Sequence, residues 1–163
     1  MYRMDRSNGK LHGGLICHIK DGVAFNPNKH FLDSDIEAMW IEINLPKTKP
    51  ILIGTVYRPP SSHVDYVDKL DTIFHECNST YDDVYILGDF KLDVAKTSEC
   101  KRVNILARNS QMTQIIKDYT IIITNVSKSK IDLIFVSRAE LVVSSGVHSL
   151  GLSDHCSVNF CCS

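Results

Sequence analysis

Four polar side chains stand where apolar segments of the sequence stop or are interrupted, and together they could carry out acid–base or metal-assisted chemistry. Asp89 follows one apolar run, Asp132 interrupts another, and the dipeptide Asp154-His155 precedes a third. An ionised carboxylate in an apolar segment is costly unless it is paired or bound to a metal. Because α/β folds build their sites at the ends of sheets, the pattern predicts that these side chains converge there.

A fifth candidate lies at the end of the run 51–57, where Tyr57 and Arg58 precede two prolines. Each group alone has a simpler interpretation, since Gly-Asp is a common turn and a tyrosine is more often a packed aromatic with a wet hydroxyl. Their joint occurrence at strand boundaries favours a functional site over separate structural roles.

Apolar periodicity predicts the elements that position these groups. Helical spacing indicates an amphipathic helix over 64–77, with Ser61 or Ser62 as its cap, and a short helix over 101–108. The β-branched run 51–57 predicts a strand buried on both faces. The other predicted strands are 15–20, 39–45, 84–87, 120–124, 131–137, 141–147 and 156–162. Helices between buried strands indicate an α/β fold, and short turns between neighbouring strands favour mixed sheets.

Composition limits the function classes. The 163 residues carry 18 Lys and Arg against 19 Asp and Glu, a net charge of -1, which excludes a wholly basic nucleic-acid coat but not local binding of phosphates. The length predicts a single domain. The N-terminal residues are too polar for a signal peptide, and no stretch approaches the roughly 20 apolar residues of a membrane helix. We therefore expect an intracellular, non-secreted chain without a membrane partner, whose six cysteines are reduced.

The candidate groups lie in an ordered set of motifs that extends over nearly the whole chain. These motifs are Val56-Tyr57-Arg58-Pro59-Pro60, Gly88-Asp89-Phe90, Ile131-Asp132-Leu133-Ile134-Phe135 and Ser153-Asp154-His155. The set resembles the endonuclease/exonuclease/phosphatase superfamily. More narrowly, it is similar to the apurinic-type endonuclease domain encoded by non-LTR (LINE-type) retrotransposons.

The resemblance implies a four-layered α/β sandwich, with two mixed β-sheets flanked by helices, formed by one domain over residues 1–163. It also implies an opening strand that carries an Asn and is followed by a metal-ligand Glu, both of which should precede Met1. We therefore expect an N-terminally truncated domain. Glu37 does not replace the missing Glu, because it matches a later, structural motif.

The resemblance also implies residue roles. Asp89 orients or deprotonates the attacking water, and His155 stabilises the phosphate while Asp132 holds its ring in place. Tyr57 donates to a phosphate oxygen, and Asp154 lies at the metal together with Asp89. The implied cofactor is Mg²⁺, with Mn²⁺ as the alternative. A phosphodiester is anionic, so attack on it requires a cation and well-placed donors.

Two basic residues are assigned to the substrate phosphate, namely Lys91 and Arg58. Lys91 departs from the family pattern, which expects an Asn two residues after the first Asp of its Gly-Asp-Phe-Asn motif. Lysine is a longer point charge with donors only. It therefore contacts phosphate, or it pairs with Asp89 and competes with the metal. A lesser departure is Ile121, where the subgroup usually carries Arg after Thr.

The leading hypothesis is a Mg²⁺-dependent DNA endonuclease-like domain of a retroelement, monomeric and impaired in this chain. It would be nuclear if it follows retroelement biology. A phosphatase or phospholipid phosphodiesterase of the same fold ranks lower. The alternative from another class is a non-catalytic remnant that at most binds nucleic acid, and the expected absence of the Glu and the presence of Lys91 favour it.

Overall fold

The structure is a computed structural model of the chain, and it describes residues 1–5, 14–33, 35–60, 62–124 and 127–163. Within these ranges the helices are α1 (Tyr66–Thr80) and α2 (Thr97–Asn109), with a short 3-10 helix at Ala139–Leu141. The strands are β1 (Tyr2–Met4), β2 (Leu15–Cys17), β3 (Ala24–Asn28), β4 (Glu37–Asn44), β5 (Ile51–Tyr57), β6 (Asp83–Asp89), β7 (Thr113–Gln114), β8 (Ile121–Ile122), β9 (Lys128–Ser129), β10 (Asp132–Val136), β11 (Val142–His148) and β12 (Ser157–Cys162).

Six strands form one central sheet, in the spatial order β3-β4-β5-β6-β10-β7. Strands β5 and β6 are parallel and are joined by the crossover that contains α1. The other neighbouring pairs of this sheet are antiparallel. The mixed sheet and its helical crossover confirm the predicted α/β class.

Helices α1 and α2 cover one face of the central sheet. Helix α1 is amphipathic because Leu70, Phe74 and Cys77 recur at helical spacing, and all three are fully buried. They belong to the largest core cluster, which also contains Trp40 from β4 and Phe135 from β10. Burial of this apolar face fixes the helices against the sheet.

Two separate two-stranded sheets pack on the opposite face. The β1–β2 sheet packs against Met39 and Ile41 of the central sheet, and the β11–β12 sheet packs against Tyr85 and Ile134. Strands therefore lie on strands over this face, as expected for the predicted sandwich. Within the described ranges the second strand layer consists of these two small sheets.

Strand β5 differs from its prediction. Leu52 and Val56 are fully buried toward the helices, whereas Ile51 and Ile53 on the alternate face are only partly buried. Ile51 contacts the core clusters beneath both small sheets. Ile51 and Ile53 therefore form a partly exposed strip between the two small sheets. The prediction that β5 is buried on both faces is wrong, because neither small sheet covers the strip.

The start of α1 also differs from its prediction. The Ser62 hydroxyl donates to the Pro59 carbonyl at 2.6 Å within a turn, and the helix begins only at Tyr66. Asp65 occupies the N-cap position without a side-chain cap hydrogen bond. The prediction of Ser62 as the cap is therefore wrong, and Ser61 lies outside the described residues.

Two further findings concern the chain as a whole. All six cysteines have free thiols in the structure. Among the described residues, no helix combines the length and the apolar character needed to cross a membrane.

Candidate active site

The candidate residues lie at one end of the central sheet because of strand register. Tyr57 at the end of β5 pairs with Asp89 at the end of β6, and Asp89 pairs with Asp132 at the start of β10. Glu37 at the start of β4 pairs with Tyr57 and extends the same row. Residues directly opposite each other on neighbouring strands point to the same face, so the row forms one polar edge.

Gly88 brings the chain before Asp89 unusually close to β5. A Cβ atom at residue 88 would lie 1.8 Å from the Val56 carbonyl oxygen, and the φ angle of Gly88 is +150°. Only glycine tolerates both conditions. The Gly-Asp sequence therefore ends the strand and presents Asp89 at the sheet edge.

His155 reaches this edge from the loop before β12 and forms a close pair with Asp132. Its Nδ1 atom lies 3.1 Å from Asp132 Oδ2 and 3.2 Å from Oδ1. With Nδ1 directed at the carboxylate, the ring presents Nε2 on its other side. Both side chains are partly buried, with 34% of His155 and 14% of Asp132 exposed. The geometry is that of a histidine held in position by a carboxylate.

Hydrogen bonds to the side chain and the carbonyl of Thr120 hold this pair in place. The Thr120 Oγ1 atom accepts hydrogen bonds from the backbone N–H groups of Ile131 and Asp132, each at 3.1 Å. The Thr120 carbonyl accepts from Cys156 at 2.7 Å, and Ile121 forms an isolated bridge with His155. Thr120 is completely buried. Through these hydrogen bonds it links the start of β10 to the loop that carries His155.

Burial raises the pKa of the Asp132 carboxyl above its ordinary value, and the neighbouring charge of Asp89 acts in the same direction. The hydrogen bond from Thr120 and the adjacent His155 oppose this shift. An acid in this setting favours any arrangement that brings positive charge to it.

Asp89 is paired with Lys91 through both of its oxygens. The Lys91 backbone N–H donates to Asp89 Oδ1 at 3.1 Å, and the ammonium lies 2.7 Å from Oδ2. Lys91 has a φ angle of +50°, so the chain turns back on itself directly after Phe90. The sequence left open whether Lys91 contacts phosphate or pairs with Asp89, and the structure shows the ion pair.

A short anchored loop carries Lys91. Phe90 donates its backbone N–H to the Ile131 carbonyl at 2.9 Å. The buried Asp93 accepts from the backbone N–H of Lys130 at 2.9 Å, again on the approach to β10. These bonds fix the position of the Lys91 turn relative to Asp132.

Arg58 lies beside the same turn. Its backbone N–H donates to the Asp89 carbonyl at 2.8 Å, and its Nη1 donates to the Lys91 carbonyl at 3.3 Å. The guanidinium stacks over the Tyr66 ring at 5.6 Å, and the Tyr66 hydroxyl donates to the Tyr57 carbonyl at 3.2 Å. The Arg58 Nε atom is buried and has no hydrogen-bond partner among the described residues. A second cation with an unused donor therefore adjoins Lys91.

Asp89, Asp132 and His155 form a group that could hold a metal ion, because one ligand atom from each lies within 4.8 Å of the others. The carboxylate of Asp154 does not belong to this group. Asp154 is exposed, and its carbonyl accepts from the Ile122 N–H at 3.2 Å. The role of Asp154 at the metal stays a prediction.

The structure thus brings Asp89, Asp132 and His155 together and places Tyr57, Arg58 and Lys91 beside them. The catalytic roles of these residues stay predictions. Sequence reasoning missed the positioning residue Thr120. The available signal in the sequence was a threonine shortly before the strand that carries Asp132. Its contacts, however, depend on how two distant segments pack.

Comparison of the sequence with protein-family models finds no match, and comparison with curated proteins finds none either. Comparison of structures does find matches. The endonuclease domain of TRAS1, a telomere-specific non-LTR retrotransposon, superimposes with a TM-score of 0.69 at 11% identity, over 85% of this chain and 66% of that domain. The 3'-5' exonuclease NExo from Neisseria meningitidis superimposes with a TM-score of 0.58 at 16% identity, over 84% of this chain and 69% of that protein.

An endonuclease/exonuclease/phosphatase family protein from Leptotrichia buccalis gives a TM-score of 0.55 at 19% identity, over 77% of this chain and 52% of that one. The chain thus spans about two thirds of the retrotransposon domain and about half of the Leptotrichia protein. At these identities the likeness concerns the fold. The resemblance drawn from the motifs is confirmed at that level, and the chain has the α/β sandwich fold of the endonuclease/exonuclease/phosphatase superfamily.

Proposed function

We propose that this chain is a phosphodiester hydrolase of the nuclease type, acting on DNA with the help of a divalent metal. The observation that carries the proposal is the pairing of His155 with Asp132 beside Asp89, with ligand atoms of all three within 4.8 Å of one another. The fold neighbours include an endonuclease, an exonuclease and a 3' phosphatase, which supports hydrolysis of phosphate esters. One of them is the endonuclease domain of a telomere-specific retrotransposon, and we propose a retroelement origin for this chain. A nuclear site of action is a further part of the proposal.

The chain's own residues supply most of the chemistry. His155 presents Nε2 to the phosphate and stabilises developing negative charge, because Asp132 holds the ring in position. Asp89 accepts a proton from the attacking water or orients it. Tyr57, which pairs with Asp89 in the strand register, would donate to a phosphate oxygen.

The donor types fit a divalent cation. Mg²⁺ and Mn²⁺ prefer carboxylate oxygens. Asp89 and Asp132 would hold such an ion, with Asp154 as a further carboxylate from the adjacent loop, whereas His155 would face the phosphate. The ion would neutralise phosphate charge and lower the pKa of a bound water. The Lys91 ammonium lies at Asp89 already, so we propose that metal binding is weak and hydrolysis slow.

The Lys91–Asp89 ion pair also supports the second candidate, a nucleic-acid-binding domain without catalysis. Such a domain would bind a DNA backbone through Lys91 and Arg58 and leave it intact. One fold neighbour, the 3' phosphatase NExo from Neisseria, is bound to a product DNA hairpin, which supports DNA as the ligand in either case. We propose that the chain acts as a monomer.

A plasmid-nicking assay tests the proposal. We expect slow nicking of supercoiled DNA by the unmodified chain in Mg²⁺ or Mn²⁺, and none in EDTA. His155→Ala should abolish nicking, whereas His75→Ala, an exposed histidine on α1, should leave it unchanged. DNA binding without nicking by the unmodified chain would favour the second candidate. Nicking that survives His155→Ala would overturn the proposed site.

A further inference from the structure

We propose that Lys91 is a resident cation at this site, through which the chain binds a nucleic-acid phosphate group without any divalent metal. The inference rests on the proposed function only in assigning the substrate phosphate to the same site. It differs in the source of the positive charge, which is an ammonium of the chain itself.

The first support is the position of the ammonium. Lys91 Nζ lies 2.7 Å from Asp89 Oδ2, and Asp89 belongs to the group of three potential metal ligands. An ammonium and a metal ion at one carboxylate repel each other strongly at this separation. Lys91 and a divalent cation therefore compete for Asp89.

The second support is the charge balance around the group. Asp89 and Asp132 contribute two negative charges, and Lys91 and Arg58 contribute two positive ones. The two acids are therefore offset by two basic side chains, so the cluster does not repel an incoming phosphate. The ammonium and the His155 ring flank the same pair of carboxylates, and an incoming phosphate can accept hydrogen bonds from both.

The third support is that the basic side chains of the site have hydrogen-bond donors that their contacts within the chain do not use. The Lys91 side chain is 30% exposed, so its ammonium can keep the Asp89 contact and direct other hydrogens outward. The Arg58 guanidinium adjoins the same turn, with its Nη1 on the Lys91 carbonyl at 3.3 Å, and adds a second positive charge beside the ammonium.

The backbone fixes the ammonium in place. Lys91 adopts φ = +50°, a conformation that lysine rarely takes, and its N–H is tied to Asp89 Oδ1. The Phe90 and Asp93 contacts with the approach to β10 hold the turn on both sides. Lys91 is therefore held at the site, unlike a mobile surface lysine.

The experiment measures binding of a short fluorescent DNA duplex in EDTA by anisotropy over a range of salt concentrations. We expect the unmodified chain to bind, and Lys91→Gln to weaken binding about fivefold and to reduce the salt slope by about one. Lys91→Arg should bind like the unmodified chain. Lys47→Gln is the matched control, because Lys47 also has a positive φ, +64°, but lies in the turn before β5, at the far end of that strand from Tyr57.

A calorimetric Mn²⁺ titration of the same proteins supplies a second readout, in which Lys91→Gln should bind the metal more tightly than the unmodified chain. Equal DNA binding in EDTA by the unmodified and Lys91→Gln chains would overturn the inference, and so would equal Mn²⁺ affinity. Circular dichroism of each variant controls for loss of the fold. Absence of nicking by the unmodified chain, with EDTA binding still dependent on Lys91, would reject the hydrolase proposal and leave this inference standing.

Discussion

At the residue scale, each of the two acids of the site has a basic partner. Asp132 contacts the His155 ring, and Asp89 forms an ion pair with Lys91. Each acid therefore has one partner that is part of the chain. The family pattern has Asn at the position of Lys91, and Asn also tolerates a positive φ far better than lysine does. If the site binds a metal, this position should therefore affect the affinity.

We expect Lys91→Asn to raise the affinity for Mg²⁺ by about tenfold, because it removes a competing charge from Asp89 and keeps a backbone conformation that Asn adopts readily. Nicking should become faster without reaching the rates typical of nucleases. Titration calorimetry and the nicking assay measure both effects. Unchanged Mg²⁺ affinity in a folded Lys91→Asn chain would show that the ion pair does not compete with the metal.

The raised pKa of Asp132 predicts how stability depends on pH. The folded chain holds the Asp132 proton more firmly than the unfolded chain does, since burial disfavours the charged carboxyl. The contribution of Asp132 to the free energy of unfolding must therefore fall as pH rises from the ordinary range of an aspartate through its raised pKa.

Urea unfolding at a series of pH values in EDTA, for the unmodified chain and Asp132→Asn, measures this effect. Asp65 and Asp82 have lowered pKa values, because of a hydrogen bond from His63 and one from Lys49, respectively. Their effect on stability has the opposite sign and is common to both chains, so the difference isolates Asp132. The unmodified chain should lose stability relative to Asp132→Asn as pH rises. A difference that does not change with pH would contradict the assignment.

At the scale of elements, Asp89 and Asp132 lie at strand ends, and Thr120 joins the segment of Asp132 to the loop of His155. We expect Thr120→Val to lower the free energy of unfolding by about 1–3 kcal/mol, because it leaves the buried N–H groups of Ile131 and Asp132 without an acceptor. Nicking should fall with it. Thr120→Ser keeps the hydroxyl and should retain most of both. Equal stability of the valine and serine variants would show that the hydroxyl does not hold this pair of segments.

The same elements show what the sequence could predict. Strands β5, β6 and β10 and helix α1 carry strong apolar patterns, so their existence and the meeting of Asp89 with Asp132 could be predicted. Strand β3 was missed because it contains Pro27 and few apolar residues, which suits the edge position it occupies. The pairing of β1 with β2 and the contacts of Thr120 depend on long-range packing that no local pattern encodes.

At the scale of the whole molecule, the partly exposed face of β5 between the two small sheets is a liability. Apolar strand surface that stays accessible favours association between chains. We expect the chain to be monomeric when dilute and to associate as its concentration rises, with poor solubility. Light scattering over a concentration series measures this. A protein that stays monomeric throughout and melts cooperatively would show that the exposed strip has no such effect.

The most direct test of the account is a double-mutant cycle on Mg²⁺-dependent nicking with Asp132→Asn, His155→Ala and the two combined. If Asp132 acts by holding His155, each single change should lower the rate by about a hundredfold or more. The double variant should then be no slower than His155→Ala alone, because the two residues act as a unit. Multiplying losses in the double variant, or full activity in either single variant, would contradict the central claim that this pair is the catalytic device.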